Sequence, residues 1–182
     1  IVANQSSNSE GYLDNDATIK AARFIRFCDC FNIPIITFVD SPGFLPDLAQ
    51  ENNGMILNGS KLIYSYSEAT VPKLSVLMGD VFEDAYLVMS PKELGGDYNV
   101  AWPSSKLEFS MKNVYSGRSN GNDDQKRRTK GIEISPYELT KLGKLDDIIN
   151  PVDTRKLLIR ALKIFQSKRE LLFSKKHGNI PL

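Results

Sequence analysis

Hydrophobic residues in the first half of the chain form two kinds of pattern. Residues 34–39 are a short, continuous apolar run rich in β-branched residues, which is typical of a strand buried on both faces of a parallel sheet, and residues 71–78 are predicted to form a second buried strand. Residues 17–31 and 54–68 instead carry apolar positions at helical spacing. With a strand end at residues 1–5, this alternation predicts an α/β sheet covered by helices, with right-handed crossovers.

Each of the two predicted helices has an apolar stripe, and Asp14 or Asp16 precedes the first helix as a candidate N-cap. In the first helix we expect a buried stripe made of Ala17, Ala21, Phe24, Ile25, Cys28 and Phe31. In the second helix we expect a stripe made of Met55, Ile56, Leu62, Ile63 and Tyr66. Both stripes would face the sheet.

The second half of the chain shows a less regular pattern. Residues 85–89 begin another helix or a short strand, and residues 97–109 are mostly extended. Residues 137–145 and 151–173 have apolar positions that predict C-terminal helices. Residues 112–131 form a polar insert with too little apolar surface to pack, so we expect this insert to be exposed and mobile.

Composition narrows the class of protein. The 182 residues suffice for one α/β domain, and a net charge of +1 with 25% charged residues favours neither nucleic acid nor membrane as a partner. No apolar stretch approaches the roughly 20 residues that span a bilayer. The basic residues Lys126, Arg127 and Arg128 lie in the polar insert and are expected to form a solvated loop. The chain has neither an initiator Met nor a signal-peptide pattern, which predicts a processed product or a piece of a longer polypeptide.

The cysteines and the histidine suggest little chemistry. Cys28 and Cys30 lie two residues apart on a predicted helix, so they point to different faces and cannot pair with each other. Two free thiols, expected to be small buried residues, favour a reducing compartment such as the cytosol or the mitochondrial matrix. Since His177 is the only histidine, we expect no metal site.

The loops that follow the two buried strands are where chemistry is expected. In α/β sheets, ligands bind beyond the carboxyl ends of the strands. The relevant loops therefore begin after Val39 and after Met78. The first of them, residues 40–46, has the Pro and Gly residues of a tight turn.

Five segments of the chain form long motifs in a fixed order. They are residues 22–34 (ARFIRFCDCFNIP), 37–46 (TFVDSPGFLP), 64–73 (YSYSEATVPK), 94–97 with 101–103 (LGGD and AWP), and 176–182 (KHGNIPL). These motifs resemble the C-terminal domain of the biotin-dependent acyl-CoA carboxyltransferase family. The last of them is similar to the propionyl-CoA carboxylase β branch in particular. The resemblance covers about residues 1–109 and 142–182.

The resemblance implies a crotonase-like (ClpP/crotonase) α/β fold with C-terminal helices, formed by a single C-terminal domain over residues 1–182. In the family, this domain binds carboxybiotin delivered on a carrier subunit, while an N-terminal domain of another protomer binds the acyl-CoA. The carboxyl group moves from biotin N1 to the α carbon of propionyl-CoA. The chain would therefore hold no covalent cofactor and would need an N-domain chain, within a homo- or hetero-oligomer.

By the same resemblance, the biotin-side oxyanion hole falls at Asp84 and Ala85. The family has Gly-Gly-Ala-Tyr where this chain has Glu83-Asp84-Ala85-Tyr86, and the backbone N–H groups there stabilise the ureido oxygen. Acids in place of both glycines predict an impaired hole. A simpler interpretation is that the carboxylates cap the helix and that Tyr86 belongs to the core. Leu87 replaces an Asp that is common in the propionyl branch, so an acyl preference has no support.

The loop after the first buried strand resembles the family's biotin-side wall. The matching residues are Asp40, Pro42, Gly43 and Phe44. Pro42 and Gly43 would also form a turn without any ligand. Gly54 belongs to the same side, but its surroundings depart from the family: Asn-Gly replaces Gly-Gly at 53–54, and Leu-Asn replaces Arg-His at 57–58.

Two functional hypotheses follow from the resemblance. One is the active biotin-binding half of a divergent acyl-CoA carboxylase that works with a separate N-domain chain. The other is a non-catalytic paralogue retained as a structural subunit of a multisubunit assembly in the mitochondrial matrix. The acids at 83–84 and the polar insert favour the second hypothesis. Residues 95–97, Gly-Gly-Asp, match the family as well, but a tight turn before a strand explains them.

Overall fold

A computed structural model of the chain describes residues 1–7, 9–109 and 132–170. Its strands are β1 (Val2–Ala3), β2 (Ile35–Val39), β3 (Lys73–Leu77), β4 (Asp80–Phe82), β5 (Tyr98–Ala101), β6 (Lys106–Phe109), β7 (Ile132–Ile134) and β8 (Asp147–Ile148). Its α-helices are α1 (Asn15–Cys30), α2 (Leu48–Asn52), α3 (Met55–Glu68), α4 (Glu83–Val88), α5 (Pro136–Lys141) and α6 (Thr154–Ile164). The predictions for the insert at 112–131, for its basic run and for His177 fall outside the described residues.

The main sheet consists of five parallel strands in the order β1-β2-β3-β5-β8. Strand β3 lies at its centre and is buried along its whole length, Lys73 and Ser75 included, as predicted for residues 71–78. Val39 pairs with Leu77, and Leu77 pairs with Ala101, so the carboxyl ends of three neighbouring strands meet at one edge. The predicted α/β sheet is confirmed, and the loops of interest leave from this edge.

Side chains from the sheet alternate between two helical layers. On one face, Ile35 and Val39 join the core formed with α1 and α3, which pack against each other. On the other face, Leu74 and Val76 join a core that includes Leu158 of α6. Each fully buried aliphatic side chain contributes about 1.5–3 kcal/mol, so both layers hold the sheet.

A second, smaller sheet contains β4, β6 and β7, with β4 parallel and β7 antiparallel to β6. The sequence pattern does not predict this sheet as a separate unit, because strands of three or four residues carry too few alternating positions. It matters for the site because β4 leads directly into α4.

The buried face of α1 differs from the predicted stripe. The buried residues of the helix are Asn15, Thr18, Ala22, Ile25 and Cys28. Phe24 and Phe31, predicted to be buried, are 41% and 62% exposed. Apart from Ile25, the buried face consists of small or polar side chains, and the two aromatic rings lie outside it. Asp14 is confirmed as the N-cap, since its Oδ1 accepts a hydrogen bond of 2.7 Å from Ala17 N.

Two buried positions were also predicted wrongly. Ile56 is 90% exposed, because one step beyond the buried Met55 rotates a side chain by about 100° around the helix. Cys30 is exposed, whereas Cys28 is buried, and both are free thiols. Cys30 lies at the last residue of α1, where the helix runs past the edge of the core.

Helix boundaries differ from the sequence predictions at three places. Helix α2 lies between the predicted loop at 40–46 and the predicted helix at 54–68, in a stretch for which the sequence predicts no element. Helix α5 ends at Lys141 instead of near residue 145, because Gly143 with φ +72° cannot continue it. Helix α6 ends at Ile164 and continues only as the short 3-10 helix Phe165–Ser167, so the predicted helix over 151–173 is too long.

Candidate functional site

The loop after β2 is fixed to the first residues of the chain. The Asn4 side chain accepts a hydrogen bond of 3.1 Å from Asp40 N through its Oδ1, and its amide group donates to Asp40 O. Ser41 Oγ donates to Gly11 O at 2.7 Å. Both backbone polar groups of Asp40 are therefore occupied, and the position of the loop is set by the end of β1 and the segment that follows it.

Further along the same loop, Gly43 and Phe44 hold positions that few other residues could take. Gly43 has φ +115°, which disfavours any residue with a Cβ, and its carbonyl accepts from Leu13 N at 2.9 Å. The Phe44 ring packs on Gly59 of α3, where an added Cβ would lie 2.9 Å from the ring tip. The loop is thus clamped between the start of α1 and α3.

The loop after β3 lies directly against this first loop. At Gly79, an added Cβ would overlap Asp40 Oδ1, so the Asp40 carboxylate rests on the Gly79 backbone. Phe82 N donates to Ser41 O at 3.2 Å. The expectation that the loops after β2 and β3 meet at one edge of the sheet is confirmed.

Helix α4 begins beside these loops without a capping side chain. Its N-cap residue is Phe82, which offers no acceptor, and Glu83 and Asp84 are the first two helical residues. The prediction that a carboxylate caps this helix is therefore wrong. The first N–H groups of any helix have no partner within it. The acidic side chains instead act on the helix dipole from its first turn, where negative charge is favourable.

The structure brings two of the predicted site residues, Asp84 and Gly43, close together, and it places Gly54 at the start of α3. Asp84 Cβ lies 3.9 Å from the position of a Cβ added to Gly43, so the exposed Asp84 side chain stands in the gap between α4 and the loop. Ala85 and Tyr86 are buried and Leu87 is 41% exposed. Gly54 is the N-cap of α3 with φ +83° and packs beside Leu57 of its own helix.

The segment around Asn58, where the family has a basic pair, has a structural role instead. Asn58 is buried, and its amide donates to Asn15 Oδ1 at 2.8 Å. Asn15 in turn donates twice to Gln50: its backbone N–H donates to Gln50 Oε1 and its side-chain amide donates to Gln50 O, both at 2.9 Å. This network ties α3 to α1 and to α2, and no sequence pattern predicts it.

A second network missed by the sequence lies behind α4. Tyr86 Oη donates to Glu93 Oε2 at 3.0 Å, and Lys144 forms an ion pair with Glu93 Oε1. Burial raises the pKa of Tyr86, and the charge of Glu93 raises it further. Desolvation raises the pKa of Glu93, but hydrogen bonds from Lys144 and Tyr86 outweigh it, so that pKa lies below its ordinary value.

At the opposite edge of the sheet, Lys73 is 2% exposed at the start of β3. Its Nζ donates to Tyr66 O at 2.8 Å and to Leu94 O at 3.3 Å. Burial lowers the pKa of Lys73, and the nearby charge of Lys168 lowers it further. Asp97 Oδ2 accepts from Lys73 N at 2.8 Å and from Lys168 Nζ at 3.0 Å.

The Gly-Gly-Asp segment belongs to this same edge. Gly95 has φ +78° and ends the 3-10 helix Lys92–Leu94, and β5 begins at Tyr98. The prediction of a tight turn before a strand is confirmed. A Cβ added to Gly95 would lie 3.2 Å from Lys73 Nζ, so this glycine also makes room for the buried lysine.

Neither a metal cluster nor a membrane span is found among the described residues. No three His, Cys, Asp or Glu side chains in residues 1–7, 9–109 and 132–170 lie close enough together to hold an ion. In the same part of the chain, no helix has the length and apolar character needed to cross a bilayer. A groove of about 490 Å³ runs along β1 and the start of α1 and reaches Met89, just after α4, but residues 40–44 are not among those that line it.

The parallel sheet, its two helical layers and the loops at its carboxyl edge form the crotonase-like fold of carboxyltransferases. A family model described as "Carboxyl transferase domain" matches residues 1–180. The chain therefore belongs to the carboxyl transferase domain family.

Individual relatives place the chain near the propionyl-CoA carboxylase β subunits, to which it is homologous. It is 47% identical to the propionyl-CoA carboxylase carboxyltransferase subunit of Haloferax mediterranei, covering 100% of this chain and 38% of that protein. It is 42% identical to the mitochondrial propionyl-CoA carboxylase beta chain of Homo sapiens, covering 100% of this chain and 34% of that protein.

A solved structure gives the same result. The transcarboxylase 12S crystal structure, a hexamer with methylmalonyl-coenzyme A and methylmalonic acid bound, matches with a TM-score of 0.83 and 38% identity. The match covers 99% of this chain and 36% of that chain. The chain thus spans little more than a third of the length of the relatives it matches.

Proposed function

We propose that this chain is the biotin-side half of a propionyl-CoA carboxylase β-like carboxyltransferase, with carboxyl transfer weakened by its own acidic residues. The observation that carries the proposal is the place of Asp84, whose Cβ lies 3.9 Å from the position of a Cβ on Gly43. At the corresponding position the family has glycine. The gap that would receive the ureido ring is therefore narrowed and negatively charged.

The residues present do not fit a carboxylated biotin. The group would need N–H donors free of nearby negative charge, since negative charge develops on its ureido oxygen. Helix α4 offers N–H groups in its first turn, but Glu83 and Asp84 stand beside them. Residues 40–44 retain the family's loop, so the wall of the biotin side is present. The acids beside the N–H donors nevertheless put negative charge where the ureido oxygen becomes negative.

The size of the effect follows from simple electrostatics. One unit charge about 4 Å from the developing oxygen is worth roughly 4 kcal/mol at an effective dielectric near 20. Solvent screening at exposed side chains lowers this toward roughly 1 kcal/mol for each charge. Two acids together therefore slow transfer by about tenfold to a hundredfold.

Reconstitution tests this proposal. The chain is combined with a carboxyltransferase N-domain chain that binds acyl-CoA and with a carboxybiotin donor, and transfer to propionyl-CoA is measured. We expect slow transfer by the unmodified chain and faster transfer by the Glu83→Gly, Asp84→Gly double variant. Robust transfer by the unmodified chain would overturn the proposal.

An active biotin-binding half is the second candidate, and one observation favours it. Among the described residues no side chain caps α4, so none of them occupies its first-turn N–H groups. In this case biotin, carried on a partner, would be used without being bound covalently here. Equal transfer rates for the unmodified chain and the double variant would favour this candidate.

We also propose that the chain works within a larger assembly and belongs to the mitochondrial matrix. The hexamer described for transcarboxylase 12S and the mitochondrial relatives in pig and human support this proposal, whereas equally similar bacterial and archaeal relatives leave other compartments open. Purification of the native chain under mild conditions, after cell fractionation, tests both parts. Recovery from the cytosol as a lone monomer would contradict them.

A further inference from the structure

Three side chains from separate segments meet behind α4. Tyr86 belongs to α4, Glu93 belongs to the 3-10 helix Lys92–Leu94, and Lys144 lies between α5 and β8. Tyr86 Oη donates to Glu93 Oε2 at 3.0 Å, and Lys144 Nζ pairs with Glu93 Oε1. Lys144 Nζ also lies 5.6 Å from the centroid of the Tyr86 ring, within the range of a cation–π contact.

Helix α4 depends on such contacts for its orientation. It has six residues and lacks a capping side chain, so it is too short to be stable without tertiary support. At its beginning, Phe82 N is bound to Ser41 O at 3.2 Å. In its second half, Tyr86 is 3% exposed and carries the hydrogen bond to Glu93. These two ties set the direction of the first turn relative to the loop after β2.

The groups that hold Tyr86 are themselves fixed. Next to Glu93, Leu94 O accepts from the buried Lys73 Nζ at 3.3 Å. The Lys144 backbone N–H donates to Leu139 O at 3.0 Å. The segments that carry Glu93 and Lys144 are therefore each held by a hydrogen bond to another part of the fold, and Tyr86 connects α4 to these two residues.

We infer that Glu93 and Lys144 are positioning residues for α4, acting through the hydroxyl and the ring of Tyr86. They do not touch the gap between Asp84 and Gly43, and neither belongs to the acidic pair that weakens the site. The consequence for carboxyl transfer rests on the proposed function, whereas the effect on α4 itself does not.

Amide hydrogen exchange on the full chain tests the inference without any activity. The informative amides are those of residues 87–89, which close the hydrogen bonds of α4; Met89 N, for example, donates to Ala85 O at 3.1 Å. Removing a hydrogen bond to a charged group in Tyr86→Phe should speed their exchange roughly tenfold or more. Lys144→Met should also speed it, while amides of β3 keep their wild-type rates.

Lys92→Met is the matched control. Lys92 lies in the 3-10 helix that carries Glu93 and forms an ion pair with Asp146, so this variant removes the same charge as Lys144→Met but takes away no contact with Tyr86. It should leave the exchange of residues 87–89 unchanged. Wild-type exchange in Tyr86→Phe overturns the inference, as does equal acceleration in the two lysine variants. Equal acceleration in β3 also overturns it, because the effect would then be global instability.

Transfer kinetics give a second readout in the Glu83→Gly, Asp84→Gly background with an N-domain chain. Adding Tyr86→Phe should lower kcat roughly tenfold. It should leave the KM for acyl-CoA unchanged, because the N-domain chain binds the acyl-CoA. An unchanged kcat contradicts positioning for chemistry. If the double glycine chain transfers nothing, the proposed function fails, and the exchange rates still decide whether Glu93 and Lys144 hold α4.

Discussion

Charged residues have different surroundings at the two edges of the main sheet, the amino edge where its strands begin and the carboxyl edge where they end. At the amino edge, Lys73 and Asp97 are held by hydrogen bonds from several segments, and Lys168 completes the network. At the carboxyl edge, Glu83 and Asp84 sit in the first turn of α4, beside Gly43, without a capping bond. The charged residues at the amino edge are therefore tied into the fold, whereas the two acids at the carboxyl edge make no capping bond.

This difference shows which constraints come from folding. A buried lysine must have acceptors for its N–H groups, so Lys73, the Gly95 turn and Asp97 depend on one another. An exposed acid in a first helical turn costs the fold nothing and even suits the helix dipole. Glycines needed only for a ligand can therefore be replaced without loss of the fold.

The largest expected effect lies at the amino edge. Lys73→Ala leaves Tyr66 O and Leu94 O without their donor and opens a cavity, so we expect a loss of about 3 kcal/mol in the free energy of unfolding. Urea denaturation measures this loss. Lys20→Ala, an exposed lysine on α1, is the control and should change stability by less than about 0.5 kcal/mol. Similar values for both variants would remove the contrast between the edges.

The pH dependence of stability sharpens the same point. Burial lowers the pKa of Lys73 in the folded chain, so its burial penalty is present below the folded pKa and is relieved as pH rises toward the ordinary value of 10.5. The stability of the wild type relative to Lys73→Met should therefore rise with pH in that window. A flat difference between the two unfolding curves would show that Lys73 is not desolvated.

A medium effect is expected where α3 supports the carboxyl edge. In Gly59→Val the new side chain would meet the Phe44 ring, since even a Cβ lies 2.9 Å from its tip. We expect a loss of roughly 1–2 kcal/mol from overpacking, measured by thermal unfolding. Ser67→Val, at an exposed position of α3, should cost less than about 0.5 kcal/mol. Unchanged stability in Gly59→Val would mean that the loop is not clamped.

The smallest effect is expected at the acids themselves. Replacing Glu83 by Gln and Asp84 by Asn removes two charges from the first turn of α4 and breaks no capping bond. The loss of a favourable dipole interaction should cost less than about 1 kcal/mol in urea denaturation. A loss of several kcal/mol would place these acids among the fold's stabilising contacts and contradict the comparison of the two edges.

The sequence pattern predicts an element well when the element is long enough to carry several apolar positions in a row. The segments 34–39 and 71–78, both predicted to be buried strands, form β2 and β3, since strands inside a parallel sheet are rich in apolar residues. Strands as short as β7 and β8 carry no comparable pattern. The exposed side of α1 was assigned wrongly because hydrophobicity alone does not show that small residues, not Phe24 and Phe31, face α3.

The site was harder to predict because its contacts join distant segments. The expectation that residues 40–46 lie near α4 needed only the rule that parallel strands end at one edge. The pairing of Glu93 with Lys144, 51 residues apart, has no local signature. The capping error has a simple cause: the helix begins at Glu83, which is one residue too early for Glu83 and two residues too early for Asp84 to be its N-cap.

The central claim, that negative charge at the carboxyl edge weakens transfer, is tested most directly by comparing two double variants. In complexes with an N-domain chain, carboxyl transfer is measured for the wild type, for Glu83→Gln with Asp84→Asn, and for Glu83→Gly with Asp84→Gly. We predict that both variants are faster than the wild type, the amides because charge is removed and the glycines, faster still, because space is restored. Wild-type rates in both variants would contradict the account.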